Sequence, residues 1–162
     1  MPAIDLNHVS ISTRDFDESL RFYTEFLGLE HIATPIMSVR VEWLRVGQRQ
    51  IHLFPASEPA PDRHHLAFEI DNFEELFLAS IEQGYLVDVP GFAAATLLPD
   101  GSGQMYVRDP SGNLVELTQR DMTQVSRERV PLRVLADTFP QSAENLRATL
   151  YLYDQWSKEQ ML

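Results

Sequence analysis

The sequence has no cysteine, so disulfides and thiolate metal ligands are both excluded. It also lacks any apolar run approaching the roughly 20 residues that span a bilayer. Its first residues, MPAIDLNHV, have neither the charged start nor the long apolar middle of a signal peptide. Basic residues are scarce: 13 Lys and Arg against 24 Asp and Glu give a net charge of −11. Such a chain repels phosphate backbones, and no basic stripe interleaved with aromatics runs through it. Nucleic acid and anionic membranes are therefore not expected as partners. What is present is a 162-residue chain that is 44% hydrophobic. That is enough for one compact domain or two small modules sharing a core, with the cytoplasm as the expected location.

Hydrophobic periodicity organises the chain. IDLNHVSIS (4–12) alternates as a strand. A helix follows, with Asp15 or Asp17 able to cap it and Leu20, Phe22, Tyr23, Phe26 and Leu27 as its apolar stripe. Gly28 stands where a helix ends in a left-handed residue. Strands are expected near 29–34, 38–46 and 49–55, and the proline-rich PASEPAPDR then reads as a linker. The pattern restarts with a strand over 64–70 and a helix over 72–83, striped by Phe73, Leu76, Phe77, Ser80 and Ile81. Gly84 stands where Gly28 stood. Strands near 85–89, 103–109 and 113–119 complete it, with PDGSG and DPSGN as turns. The chain thus reads as a β-α-β-β-β unit used twice, which fixes the architecture before any finer signal. The expected divisions are a first module over 1–56, a second over 64–120, and a C-terminal extension over 121–162.

Aligning the repeats sets NHVSIS against HHLAFEI, so His8 matches His65. It sets QIHLF against LVELT, so His52 matches Glu116. In each copy the first and last strands carry one ligand-type residue between large apolar neighbours. Period-two geometry puts those apolar neighbours toward the helices and leaves His8, His52, His65 and Glu116 on the opposite face. If the two sheets curve toward one another, the four side chains converge.

The segments LNHVSISTRDFDESLRFYTEFLGLE, HHLAFEIDNFEELFLASIEQG and MYVRDPSGNLVEL resemble the vicinal oxygen chelate superfamily. That superfamily includes glyoxalase I, methylmalonyl-CoA epimerase, fosfomycin and bleomycin resistance proteins, and extradiol ring-cleaving dioxygenases. The resemblance runs over about residues 4 to 120. It implies an α+β fold in which two βαβββ modules form a cupped mixed sheet around one divalent metal ion; the expected C-terminal helical extension lies outside the resemblance. By the same resemblance His8, His65 and Glu116 are metal ligands, with His52 at the fourth position. Bacterial glyoxalase I has a glutamate there, proposed also to take the substrate proton, and the epimerase has a glutamine. Three neutral imidazoles and one carboxylate leave a divalent ion with a net charge of about +1, which favours anionic bound states such as an enediolate, a catecholate or a carboxylate. His52 is open to two readings, a fourth ligand or an acid–base group beside the ion.

Other residues carry less. Glu69 shares parity with His65, and Glu42 lies on a strand either face of which could be buried; both are expected to be structural. His64 and His31 are expected at the surface. Tyr106 stands ten residues before Glu116. In extradiol dioxygenases a tyrosine at that spacing contacts the substrate, so Tyr106 joins His52 and Glu116 as a candidate catalytic residue. SAENLRATLYLYDQWSKEQ reads as a helix capped by Ser142, with Leu146, Leu150, Tyr153 and Trp156 or Tyr151 on its apolar side. Such a helix suits docking, and the resemblance implies a homodimer. The expected function is a metal-dependent lyase or isomerase using zinc, nickel, manganese, cobalt or iron on a small substrate that chelates through two adjacent oxygens. The alternatives are an extradiol-type dioxygenase and a non-catalytic small-molecule binding or resistance protein.

Overall fold

Strict alternation along β1 (His8–Thr13) turns Ile11 and Thr13 inward and leaves His8, Ser10 and Ser12 outward. The protein is described here by a computed structural model covering residues 5–90 and 93–152. After β1 the Asp15 carboxylate accepts a hydrogen bond from the Glu18 amide at 3.3 Å and caps α1 (Phe16–Arg21). The helix then widens into a π-helical turn over Phe22–Phe26, where the Leu27 amide donates to the Phe22 carbonyl at 3.0 Å. That turn, which the periodicity did not disclose, buries Phe22 and Tyr23 together. Gly28, with φ of 71°, ends it in the left-handed conformation expected of that position.

β2 (Glu30–Ile32), β3 (Glu42–Val46) and β4 (Arg49–Pro55) follow, and the sheet order is β1-β4-β3-β2. β4 lies parallel to β1, and the remaining pairs are antiparallel. The second set repeats this plan. β5 (His65–Glu69) leads into α2 (Phe73–Glu82), and β6 (Ala95–Leu97), β7 (Gly103–Arg108) and β8 (Leu114–Gln119) give the order β5-β8-β7-β6. The two βαβββ modules expected from the repeat are therefore present, with the same strand order in each. A ninth strand, β9 (Arg133–Val134), extends the second sheet parallel to β6, and α3 (Leu135–Thr138) follows directly.

Four local expectations are corrected. The strand expected near 85–89 is only an isolated bridge from Leu86 to Val107, and the pairing strand is β6, ten residues later. YLVDV has the β-branched alternation of a strand, but the partner edge of β7 is taken by a segment whose sequence, ATL, advertises nothing. β3 begins at Glu42 rather than near 38. Ile81, counted into the α2 stripe, is 54% exposed. The helix expected from Ser142 is not continuous: Ser142 does accept from the Asn145 amide as a cap would, but only a 3-10 turn over Asn145–Arg147 forms and Ala148 is extended. Tyr153 and Trp156 lie outside the described residues.

The chain divides into two compact units, one running through His65 and taking in Arg108–Leu114, the other Leu66–Val107 with the segment from Val115 onward. Within the first, the DPSGN turn is locked onto α1. Ser111 Oγ accepts from the Arg14 and Asp15 amides at 2.9 and 3.1 Å and lies 2.8 Å from Ser19 Oγ. Tyr23 donates to Asp109 at 3.1 Å, and Asn113 donates to the same carboxylate from both its backbone and its side chain. Burial raises the Asp109 pKa, and burial together with the Asp109 charge raises that of Tyr23. Among the described residues no helix is long and apolar enough to cross a membrane.

Candidate functional site

In the first unit, register brings three rings into one stack. Ser10 on β1 and Trp43 on β3 both pair with His52 on β4, so His8, two residues before Ser10, shares its face with His52 and Trp43. His52 lies flat between the other two. Its ring centroid is 4.3 Å from that of His8, with planes 15° apart, and 4.5 Å from that of Trp43, with planes 7° apart. The His52 Nε2–H points to Gln50 Oε1 at 2.8 Å, and the residue is only 7% exposed. Burial, then the neighbouring His8, lowers its pKa, so the buried ring is neutral near pH 7. Trp43 Nε1 is buried and meets no hydrogen-bond acceptor among the described residues.

In the second unit a polar row crosses the sheet. Tyr106 on β7 donates to Glu116 Oε2 on β8 at 3.0 Å, and Gln104 Nε2 donates to the Tyr106 hydroxyl at 3.3 Å. Glu116 is 5% exposed. Burial and then the Glu116 charge raise the Tyr106 pKa, so the phenol remains a donor. Thr96 pairs with Gln104 across β6 and β7, and its fully buried hydroxyl has no hydrogen-bond partner among the described residues.

His65 opens β5, exposed, with Nδ1–H donating to the Arg63 carbonyl at 3.0 Å. His64 is exposed beside it. Glu69 is exposed and pairs with Arg120 at 3.5 Å, and exposed His31 meets Glu42 at 2.8 Å on the helix side of the first sheet. His64, His31 and Glu69 read as surface chemistry, as expected, whereas His65, expected as a metal ligand, lies exposed at the start of β5. Of the expected site residues, His8 meets His52 and Tyr106 meets Glu116. Trp43, Gln50, Gln104 and Thr96 were not anticipated. The i, i+2 spacings Gln50–His52 and Gln104–Tyr106 were readable as shared faces, whereas Trp43 and Thr96 needed the cross-strand register.

The Glyoxalase/Bleomycin resistance protein/Dioxygenase superfamily profile matches residues 5–117, most of the chain. The chain belongs to this superfamily. Its curated relatives include "Glyoxylase I 4" of Arabidopsis thaliana, 28% identical over 159 residues that cover 85% of this chain and 88% of that protein. Virulence protein STM3117 of Salmonella typhimurium is 25% identical over 119 residues, covering 70% and 83%. The crystal structure of STM3117 aligns with a TM-score of 0.54 over 74% of this chain and 98% of that one. Lactoylglutathione lyase from Agrobacterium tumefaciens aligns with a TM-score of 0.56 at 21% identity, over 76% and 99%, a likeness of fold alone.

Members of the glyoxalase superfamily generally use divalent metals and commonly act as homodimers on small molecules. The donor chemistry here fits such an ion. His8 Nδ1, His52 Nε2 and His65 Nδ1 each hold a proton against an oxygen, of Asn7, Gln50 and Arg63 respectively, which places each neutral ring's lone pair on its other nitrogen. Metal-binding histidines are ordinarily fixed in this way. Imidazole nitrogens with one carboxylate suit zinc, nickel, cobalt, manganese or ferrous iron. Face-to-face stacking does not turn the lone pairs of His8 and His52 onto one point. Among the described residues no three His, Asp or Glu side chains are gathered as an ion requires.

Proposed function

We propose that the chain is a divalent-metal-dependent lyase or isomerase of the glyoxalase type, acting on a small substrate that presents two adjacent oxygens. The observation that carries this reading is the burial of two ionisable side chains, His52 and Glu116, at matching positions in the last strand of each module. Neither is needed to pair a strand, and burying each costs free energy that apolar packing would not. His8, His65 and Glu116 would hold the ion, which when bound supplies Lewis acidity for negative charge growing on the substrate oxygens.

The chain's own residues do the rest. Tyr106 orients the Glu116 carboxylate by its hydrogen bond. His52, neutral and held by its proton to Gln50, accepts a proton from substrate carbon on Nδ1 and returns it to the product. Trp43 and His8 cover the two faces of that ring and exclude water from them. The active species in this reading is a homodimer.

Protein purified without chelator should carry stoichiometric metal, and it should isomerise the hemithioacetal of methylglyoxal and glutathione or a related thiol. His8→Ala, His65→Ala and Glu116→Ala should each lose the metal while the far-ultraviolet dichroism is unchanged. Full metal content in any one variant removes that residue from the ligand set. A second reading, extradiol ring cleavage, is favoured by the Tyr106–Glu116 hydrogen bond in a two-histidine, one-carboxylate set. Iron in the purified protein with oxygen uptake on catechol would replace the lyase reading. Bound metal without turnover of either substrate would favour a binding protein.

A further inference from the structure

We propose that Gln50 is a positioning residue that fixes the tautomer of His52, holding the proton on Nε2 so that Nδ1 is the ring's only basic edge. The inference rests on the reading of His52 as the proton-handling group, and adds the residue that makes it competent. Three observations support it. The ring plane is set by the sandwich between His8 and Trp43, with planes 15° and 7° from that of His52. Within that plane the hydrogen-bond partner among the described residues is Gln50 Oε1, 2.8 Å from Nε2. Gln50 and His52 are two apart on β4, so they share a face and the contact is built into the strand rather than into a mobile loop.

The chemistry follows from how a neutral imidazole divides its nitrogens. One carries the proton and donates, the other carries the lone pair and accepts, and the hydrogen bond at one nitrogen decides the role of the other. An amide oxygen can only accept, so it selects the Nε2–H form. An amide nitrogen in its place would select the opposite form and turn the lone pair toward Gln50, where it could take no substrate proton. The backbone of Gln50 is anchored: it lies opposite Arg45 on β3, and its amide donates to the Asn7 carbonyl at 3.3 Å. Gln50 lies opposite His8 across β1 and β4, but in this reading it touches no substrate and acts on the proton transfer through His52.

The test is nitrogen-15 NMR of the histidine rings in the metal-free protein, at a pH where the rings are neutral, with His52 assigned by its loss in His52→Asn. Wild-type His52 should show a protonated Nε2 and a bare Nδ1. Gln50→Leu, which removes the acceptor, should shift both nitrogens toward tautomeric averaging. Gln50→Glu keeps an acceptor at that place and should restore the wild-type pattern. In the metal-loaded enzyme Gln50→Leu should lower kcat about 10-fold or more with KM little changed, the size typical of losing a group that orients a working histidine. A protonated Nδ1 in the wild type overturns the proposal, as do unchanged ring shifts in Gln50→Leu. If Gln50→Leu does not fold, Gln50→Met, which keeps the length of the side chain without the acceptor, is read in the same way and decides it. Because the NMR needs neither metal nor substrate, a failed tautomer is distinguishable from a failed lyase reading, which would show only as missing metal or turnover.

Discussion

His52 sits where a sheet would ordinarily place an aliphatic side chain, between Ile51 and Leu53 and nearly as buried as either. Its pKa is lowered by burial first and by His8 second, which has a consequence for stability. In the unfolded chain the ring takes a proton at about pH 6.5. In the folded metal-free protein it resists protonation until lower pH. Below about pH 6.5 the unfolded state therefore binds a proton that the folded state refuses, and stability falls as pH falls through that window. His52→Gln, planar and uncharged, should remove this component. Chemical denaturation of metal-free protein between about pH 7 and pH 5 should give a shallower decline for the variant than for the wild type. Parallel curves would mean that the folded protein accommodates the charged ring. The same residue shows what the sequence could and could not disclose. The repeat identified His52 as the partner of Glu116, because position within a strand is local information. That His52 would be stacked on both faces depended on which residues of β1 and β3 lie opposite it, and pairing register is set by the fold.

Elements defined by strong local signals formed where the sequence placed them: α1 behind its Asp15 cap, α2, and the two left-handed glycines that close the helices. Elements with weak local preference did not. β6 is three residues long and is specified by the edge of β7, not by its own alternation, while YLVDV has alternation but meets that edge only at the bridge from Leu86 to Val107. The turn after β7 was legible as a turn, but its role was not. Ser111 is 2% exposed, and its hydroxyl serves two backbone amides and Ser19 at the start of α1. Ser111→Ala should leave those buried groups short of a partner and cost about 1–3 kcal/mol. In a thermal melt that corresponds to roughly 2–4 °C for each kcal/mol in a chain of this size. Ser111→Thr, which retains the hydroxyl, should recover part of the loss if there is room for its methyl. An unchanged melting temperature in Ser111→Ala would mean that water replaces the hydroxyl and the lock contributes nothing.

At the scale of the molecule, the residues beyond the family match are built into the second unit. The match ends at residue 117, yet Met122, Val125 and Val130 are all buried, Val130 completely. Met122 rests directly on Gly103: a Cβ there would lie 2.5 Å from its sulfur. Glu74 on α2 accepts from the Ser126 amide at 2.8 Å and pairs with Arg129. Tyr151 donates to Thr118 at 3.3 Å, with the Arg120 guanidinium 4.4 Å above its ring. A chain ending at Arg120 would thus lose four buried core side chains of the described residues, Met122, Val125, Val130 and Tyr151, the three aliphatic ones each contributing about 1.5–3 kcal/mol. Their sum rivals the roughly 5–15 kcal/mol that separates folded from unfolded domains. Such a chain should lose the cooperative melt of the second unit, read as loss of slow hydrogen exchange in β7 and β8. A melt within a few degrees of the full-length protein would show the extension to be an appendage. Gly103→Ala tests the same contact in the intact chain. The added methyl must displace Met122, whose flexible side chain can yield at a cost of about 1–3 kcal/mol. Combining it with Met122→Ala, which opens space for the methyl, should give a smaller loss than the two single changes added together. Strict additivity would place Met122 away from Gly103 in solution.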